Sequence, residues 1–199
     1  MIKFILSDFT GVVVTGGHKK LSQILAERHN LDAGKIYDVL YTKYFNQFAL
    51  NKITEEEANQ GTIDDLGLEG ETWQGLVDQY LRTHTINQLM VDYIIELREK
   101  YKVVLLTKNI KHYLDWERKE FGLDNIFHDI INTSEINLPK ASKDTLNYVL
   151  DRYKIKPEEV LYIDDQEDNL KDAREMGVHV VLYQDFNQVK NEFNKILNN

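Results

Sequence analysis

The chain has 199 residues, enough for one domain or for a core with a small insertion, and its contents of 42% hydrophobic and 29% charged residues are typical of a soluble globular protein. Its net charge of −9 disfavours nucleic acid as a partner, and the absence of cysteine excludes disulfides, thiolate metal sites and cysteine nucleophiles. No apolar run approaches the roughly 20 residues that cross a bilayer, so we expect a cytoplasmic protein with no membrane partner.

Short runs of β-branched and aliphatic residues predict buried parallel strands. In chain order they cover residues 2–6, 103–106, 130–132, 160–163 and 178–183. Stretches with helical periodicity lie between them, at 87–101, 143–153 and 169–176. This alternation predicts an α/β fold with a doubly wound, Rossmann-like parallel sheet.

Between Val14 and about Thr85 the strand pattern is replaced by helical stretches. They cover residues 19–29, 33–50, 54–66 and 72–83. Two glycines mark the entry to this block, and residues 82–85 mark its exit. We therefore predict a core domain of residues 1–15 and 86–199 and a helical domain of residues 16–85. An insertion at this point is expected over the carboxyl ends of the strands, where open α/β sheets bind ligands.

Polar residues follow or close several of the predicted strands. Asp8 comes directly after the first strand, Thr107 closes the second, and Asp164 and Asp165 follow the run VLYI. Lys140 lies in a loop before a helix and can reach the same rim. Because residues just past the carboxyl ends of parallel strands converge on one crevice, we expect these side chains to lie together.

The expected cluster suits metal-assisted phosphoryl transfer. Three carboxylates in one small space are unstable without a counter-charge, and Mg²⁺ prefers oxygen ligands of this kind. Lys140 would offset the remaining charge, and Thr107 would donate a hydrogen bond to a phosphoryl oxygen. Attack by Asp8 would then give an aspartyl-phosphate.

Each position alone also has a purely structural interpretation. An aspartate after a strand often caps a turn or a helix, and a threonine often ends a strand. A single lysine is usually solvated, and Asp164-Asp165 could be an ordinary loop pair. The chemical interpretation rests on the four positions taken together and in order.

The segments around these positions resemble the motifs of the haloacid dehalogenase (HAD) superfamily of phosphohydrolases, subfamily I with a helical C1 cap. IKFILSDFTGVVV resembles the first motif, VVLLTKN the second and VLYIDDQEDNLKDAREMGV the fourth. Lys140 precedes Asp164 by 24 residues, a usual separation for the lysine of the third motif. The block containing FNQFALNKITEEEA is similar to the cap of the family. The resemblance implies a Rossmann-like core with a helical cap inserted after the first strand.

The resemblance also assigns the catalytic and metal positions. It implies that Asp8 is the nucleophile and a magnesium ligand, and that the carbonyl oxygen of residue 10 binds the same ion. Asp165 is implied as the direct carboxylate ligand, with Asp164 in support. Phosphatases of the family carry a general acid–base aspartate two residues after the nucleophile, where this chain has Thr10.

Substrate contacts are implied for the second and third motifs. Thr107, Lys108, Asn109 and Lys140 would bind the substrate, and Thr107 and Lys140 would also take part in catalysis. The family often has Pro-Asp-Pro after the lysine, whereas this chain has Ala-Ser-Lys, so Lys143 remains an alternative to Lys140.

We therefore predict a Mg²⁺-dependent phosphohydrolase, a monomer or homodimer, that acts on a small phosphorylated metabolite such as a sugar phosphate. Since a threonine hydroxyl cannot act as a base near neutral pH, Thr10 predicts slow hydrolysis of the phosphoenzyme or a substrate whose leaving group needs little protonation. Three alternatives remain. They are a catalytically weak HAD protein that binds a ligand or partner, a 2-haloacid dehalogenase, and a phosphorelay receiver domain, in which the acidic pair usually precedes the phosphorylated aspartate.

Overall fold

The computed structural model describes residues 1–198 and contains a five-stranded parallel sheet. Two further strands lie outside this sheet. In chain order, the strands of residues 1–198 are β1 (Phe4–Ser7), β2 (Val14–Thr15), β3 (Thr85–Ile86), β4 (Lys102–Thr107), β5 (Asp129–Asn132), β6 (Val160–Asp164) and β7 (His179–Leu182). The large sheet has the order β5-β4-β1-β6-β7, and every neighbouring pair in it is parallel. Strands β2 and β3 form a separate two-stranded sheet. The structure confirms the predicted α/β class.

Helices connect and flank these strands. They are α1 (Gly17–His29), α2 (Ala33–Tyr37), α3 (Asn46–Ala49), α4 (Glu55–Leu66), α5 (Trp73–Arg82), α6 (Gln88–Arg98), α7 (Lys111–Phe121), α8 (Leu123–Ile126), α9 (Thr133–Ile136), α10 (Lys143–Tyr153), α11 (Glu167–Glu175) and α12 (Phe186–Leu197). A π-helix covers Asp38–Phe45, and a 3₁₀ turn covers Pro157–Glu159. No helix within residues 1–198 is both long enough and apolar enough to cross a membrane.

The large sheet is buried on both faces, because successive side chains of a strand point to opposite sides. On β1, Ile5 packs on one face with apolar residues of α6, α8 and α12. Phe4 and Leu6 pack on the other face with residues of α10 and α11. Burial on both faces explains why these strands are continuous apolar runs rather than alternating ones.

The chain divides into two compact units, residues 1–14 with 86–199, here called the core unit, and residues 15–85, here called the helical unit. In the helical unit the helix expected over residues 33–50 forms as one continuous helical run over 33–49, but its middle is π-helical rather than α-helical. That segment is α2, the π-helix and α3 in succession. Tyr37, Tyr41 and Phe45 are spaced four apart along it, and their rings stack in sequence at 5.1 and 5.5 Å between centroids. The wider turn of a π-helix leaves residues at this spacing nearly above one another.

Candidate active site

Asp8 lies directly beyond the carboxyl end of the central strand β1 and is 4% exposed. Its backbone N–H donates to the carbonyl oxygen of Ile163 on β6 (2.9 Å), which extends the sheet pairing past Ser7 and fixes the residue at the sheet edge. Its Oδ1 accepts hydrogen bonds from the Phe9 backbone N–H (2.5 Å) and from Lys140 (2.5 Å). Its Oδ2 accepts none from residues 1–198. One carboxylate oxygen is therefore held and the other is available to a ligand.

Lys140 bridges two carboxylates. Its Nζ lies 2.5 Å from Asp8 Oδ1 and 2.9 Å from Asp164 Oδ2, and its side chain is 12% exposed. Burial alone would lower the pKa of this ammonium, but Asp8 and then Asp164 more than offset that effect and raise the pKa above its usual value. Lys143, the alternative in the sequence, is exposed and pairs with Glu175 at 2.6 Å. The structure thus brings Lys140 into the cluster and leaves Lys143 at the surface.

Asp164 is fully buried, and protein donors occupy both of its oxygens. Oδ2 accepts from Lys140 and from the Tyr162 hydroxyl (2.7 Å). Oδ1 accepts from the Gln166 backbone N–H and from Asn169 Nδ2, both at 2.9 Å. With two donors on each oxygen, Asp164 is suited to orient its neighbours rather than to bind a ligand directly.

Asp165 is half-buried and lies against the loop that follows Asp8. Gly11 has φ +104°, and a Cβ at that position would come within 2.4 Å of the Asp165 carboxyl carbon. Only glycine tolerates both that conformation and that approach. The Gly11 N–H also donates to the Val14 carbonyl (2.7 Å), and Thr10 forms a bridge with Val14, so the loop carrying Thr10 is tightly folded.

The cluster has the composition of a divalent-cation site. Asp8, Asp164 and Asp165 each have a carboxylate oxygen within 4.8 Å of the others, and Asp164, whose oxygens already have protein donors, contributes its charge. Burial raises the pKa of Asp8 to about 7, with Lys140 acting against the rise and Asp164 adding to it. If all three acids are ionised, one lysine leaves two negative charges uncompensated. A hard divalent cation with oxygen ligands fits this donor set and this charge.

The second motif lies beside this cluster in the sheet. Thr107 ends β4 and is 4% exposed, and its side chain makes no hydrogen bond to residues 1–198. Lys108 follows it and is half-buried. Asn109 was expected to bind substrate, but its side chain is used internally: Nδ2 donates to Glu117 (2.5 Å), and Oδ1 accepts from the Ile110 N–H (2.8 Å). These hydrogen bonds let the Asn109 side chain support the loop, while a contact of Asn109 with substrate stays a prediction.

Sequence reasoning missed two residues that hold Asp164. Tyr162 precedes it by two positions on β6, and residues two apart on a strand share a face, so their contact was detectable in principle. An asparagine near the start of a helix is typical of a cap, whereas the side chain of Asn169 reaches back to Asp164. No local pattern distinguishes that role from capping.

The sequence model of the family described as haloacid dehalogenase-like hydrolase matches residues 71–183, more than half of the chain. The chain belongs to this family. Membership decides against the receiver-domain alternative. The predicted resemblance is confirmed at the level of the family, and the parallel sheet agrees with the fold that it implied.

Curated relatives of this HAD hydrolase include the D-ribitol-5-phosphate phosphatase of Bacteroides thetaiotaomicron, 24% identical over 211 residues that span both chains completely. Mouse bifunctional epoxide hydrolase 2 is 28% identical over 129 residues, which cover 61% of this chain but only 23% of the mouse protein. A HAD family enzyme from Bacteroides thetaiotaomicron, crystallised with magnesium and inorganic phosphate, superposes with a TM-score of 0.74 at 22% identity, covering 92% of this chain and 95% of that one. At this identity the superposition shows a shared fold.

Proposed function

We propose that this HAD hydrolase is a Mg²⁺-dependent phosphatase that acts on small phosphorylated metabolites through an aspartyl-phosphate on Asp8. The observation that carries the proposal is the state of the Asp8 carboxylate: Oδ1 is held by Phe9 and Lys140, and Oδ2 accepts no hydrogen bond from residues 1–198. A buried carboxylate oxygen kept available beside an ammonium group is suited to nucleophilic attack. The relative that is a D-ribitol-5-phosphate phosphatase supports the substrate class.

The reaction follows from the groups in place. Asp8 Oδ2 forms a bond to phosphorus while the bond from phosphorus to the ester oxygen breaks, and the departing oxygen takes a proton from solvent. Lys140 keeps the nucleophile oriented and offsets charge on the phosphoryl group, and the Thr107 hydroxyl donates to a phosphoryl oxygen. Water then attacks the phosphorus of the aspartyl-phosphate, which releases inorganic phosphate and restores the Asp8 carboxylate.

In this proposal Asp8, Asp165 and the carbonyl oxygen of Thr10 hold the cation, and Asp164 supports them. When bound, Mg²⁺ would neutralise charge on the carboxylates and on the phosphoryl oxygens. The four donors that saturate Asp164 support the division of labour between the two acids of the pair. Substrate selection is assigned to the helical unit, as the cap role predicted from the sequence implies.

Thr10 shapes the second half of the reaction. A hydroxyl does not accept a proton near neutral pH, so the water that attacks the phosphoenzyme receives no general-base help from this position. Formation of the phosphoenzyme is therefore expected to outpace its hydrolysis, unless the leaving group itself limits the first step.

The test is hydrolysis of p-nitrophenyl phosphate with Mg²⁺, with EDTA, and by two matched variants. Asp8→Asn should abolish turnover and the hydroxylamine-sensitive label left by a phosphorylated substrate. Asp168→Asn removes a carboxylate that is 85% exposed on α11 and should change neither. Turnover that survives in Asp8→Asn, or that does not depend on Mg²⁺, would contradict the proposal. A panel of sugar and polyol phosphates then defines the substrate.

The same experiments separate the alternatives. A ligand- or partner-binding role, which Thr10 favours because it removes the usual proton shuttle, predicts no turnover on the panel and no phosphoenzyme. A 2-haloacid dehalogenase predicts halide release without added metal. The cluster of three carboxylates argues against dehalogenation, because that reaction gains nothing from a site suited to a cation.

A further inference from the structure

Helix α7 buries a carboxyl group that the proposed chemistry does not use. Glu117 is fully buried, whereas the other charged residues of this helix are exposed. Burial raises the pKa of Glu117 to about 8, against the opposing effect of its hydrogen bond with Asn109, so the group is largely neutral at pH 7. Burying a carboxyl in place of an apolar side chain costs free energy unless the carboxyl is hydrogen-bonded.

The Glu117 carboxyl is hydrogen-bonded to the side chain of Asn109. Asn109 Nδ2 donates to Glu117 Oε2 at 2.5 Å, while Asn109 Oδ1 accepts from the Ile110 N–H at 2.8 Å. Because the oxygen of the amide is already taken by a backbone donor, the nitrogen must face an acceptor. Glu117 supplies that acceptor from eight residues further along the chain, and so sets the orientation of the amide.

Asn109 also connects this segment to the ends of β4 and β5. Its backbone N–H donates to Asn132 Oδ1 at 3.0 Å, and the same oxygen accepts from the Ser134 N–H at 3.3 Å. Asn132 is the register partner of Thr107 at the ends of β5 and β4. The chain from Thr107 to Ile110 is thereby tied on one side to α7 and on the other to the end of β5.

We propose that Glu117 is a positioning residue for the phosphate-binding segment 107–110: as the acceptor for Asn109, it holds this segment in the conformation that presents Thr107 and Lys108 to a phosphoryl group. The inference rests on the proposed phosphatase function. Glu117 does not touch the reacting atoms in this scheme and acts only through Asn109.

The role depends on an acceptor atom and not on charge, so two substitutions separate it from packing. Glu117→Gln keeps an oxygen for Asn109, whereas Glu117→Met keeps the length and removes the acceptor. We expect Glu117→Met to raise both KM for p-nitrophenyl phosphate and Ki for inorganic phosphate by about 10-fold, and to lower kcat/KM by roughly 10- to 100-fold. Glu117→Gln should stay within about 2-fold of wild type, as should the control Glu120→Met at an exposed position of the same helix.

Asn109→Ala provides a second route if Glu117→Met does not fold. It removes the donor of the same hydrogen bond and should raise KM and Ki similarly. The double variant should be no worse than either single one, because both remove one interaction. A merely structural role would lower Tm and leave KM and Ki of the folded enzyme unchanged, and that result would overturn the inference. Equal losses in Glu117→Gln and Glu117→Met would also overturn it.

Backbone hydrogen exchange separates this inference from the proposed function. Amides of residues 108–110 should exchange faster in Asn109→Ala and Glu117→Met than in wild type, but not in Glu117→Gln. If wild type neither hydrolyses phosphate esters nor binds inorganic phosphate, the proposed function is wrong, and the exchange comparison still decides whether Glu117 orders the segment. Unchanged exchange in both disruptive variants would refute that ordering.

Discussion

Lys140→Met tests the electrostatic design of the site, because one side chain serves two buried acids. Its Nζ lies 2.5 Å from Asp8 and 2.9 Å from Asp164, and the three side chains are 12%, 5% and 0% exposed. Methionine fills a similar volume without the charge. The variant therefore leaves two carboxyl groups facing each other with no cation from the protein.

The size of the effect follows from these distances. Each contact is worth about 6 kcal/mol at an effective dielectric constant of ~20, and the cost of burying the lysine cancels much of the sum. Removal of one partner from a buried ion pair typically costs about 3–5 kcal/mol, and we expect that loss in the free energy of unfolding of the metal-free protein at pH 7. For a chain of this size the corresponding fall in Tm is roughly 10 °C.

The assay combines thermal unfolding in EDTA with turnover of p-nitrophenyl phosphate in Mg²⁺. We expect kcat/KM of Lys140→Met to fall by about 10²- to 10³-fold, as when a charged or hydrogen-bonding group is removed from a transition state. Lys143→Met is the matched control. Its lysine is 52% exposed in a surface ion pair, so Tm and activity should not change. An unchanged Tm in Lys140→Met, or an equal loss in Lys143→Met, would refute the reasoning.

Three further predictions concern Thr10, Gly11 and Glu117. Thr10→Asp supplies a proton acceptor and should raise steady-state turnover by up to roughly 10²-fold while the phosphoenzyme measured by acid quench declines; unchanged turnover with no phosphoenzyme in either protein would contradict this. Gly11→Ala forces a Cβ against Asp165 and should weaken Mg²⁺ binding about 10- to 100-fold by calorimetry, and unaltered affinity would show that the loop can shift. Glu117 holds its proton up to about pH 8 when folded but only to 4.5 when unfolded, so stability should fall by up to about 1.4 kcal/mol per pH unit between those values. Urea titrations at roughly pH 5 and pH 8 should show a smaller fall in Glu117→Gln, and equal falls would count against this pKa.

The sheet and the position of Asp8 were predictable because both follow from short-range signals. Apolar runs identify strands that are buried on both faces, and the carboxyl ends of parallel strands share one edge, so a residue that follows such a run is placed by topology. Asp8, Thr107 and Asp164 all fall under this rule.

The sequence favoured Lys140 but did not exclude Lys143, because the two lysines are three residues apart at a loop–helix junction. The helix start separates them. Ser142 caps α10 by accepting a hydrogen bond from the Thr145 N–H, so Lys143 is the first helical residue and faces solvent, while Lys140 stays in the loop. Cap geometry of this kind depends on tertiary contacts as well as on sequence.

The sequence pattern did not predict helix α7, and the reason is physical. Its buried side is formed by Tyr113, Leu114 and Glu117, so the position that should continue the apolar stripe holds a carboxyl group. Glu117 interrupts the apolar period of this helix, and the same residue accepts the hydrogen bond from Asn109. A break in a hydrophobic pattern can therefore mark a polar group that has a specific partner.

The central place of β1 in the sheet has a consequence for how the protein is made. Phe4 pairs with Lys102 on β4 and with Val160 on β6, which follow it by 98 and 156 positions. Contacts so distant in sequence form slowly, because the intervening chain must first lose its freedom. Synthesis proceeds from the amino terminus, so β1 is made long before the strands with which it pairs. The helical unit, in contrast, is one continuous segment, residues 15–85. Asp8 can meet Lys140 and Asp164 only after most of the chain has left the ribosome, so a nascent or truncated chain carries the Asp8 carboxylate without its counter-charge.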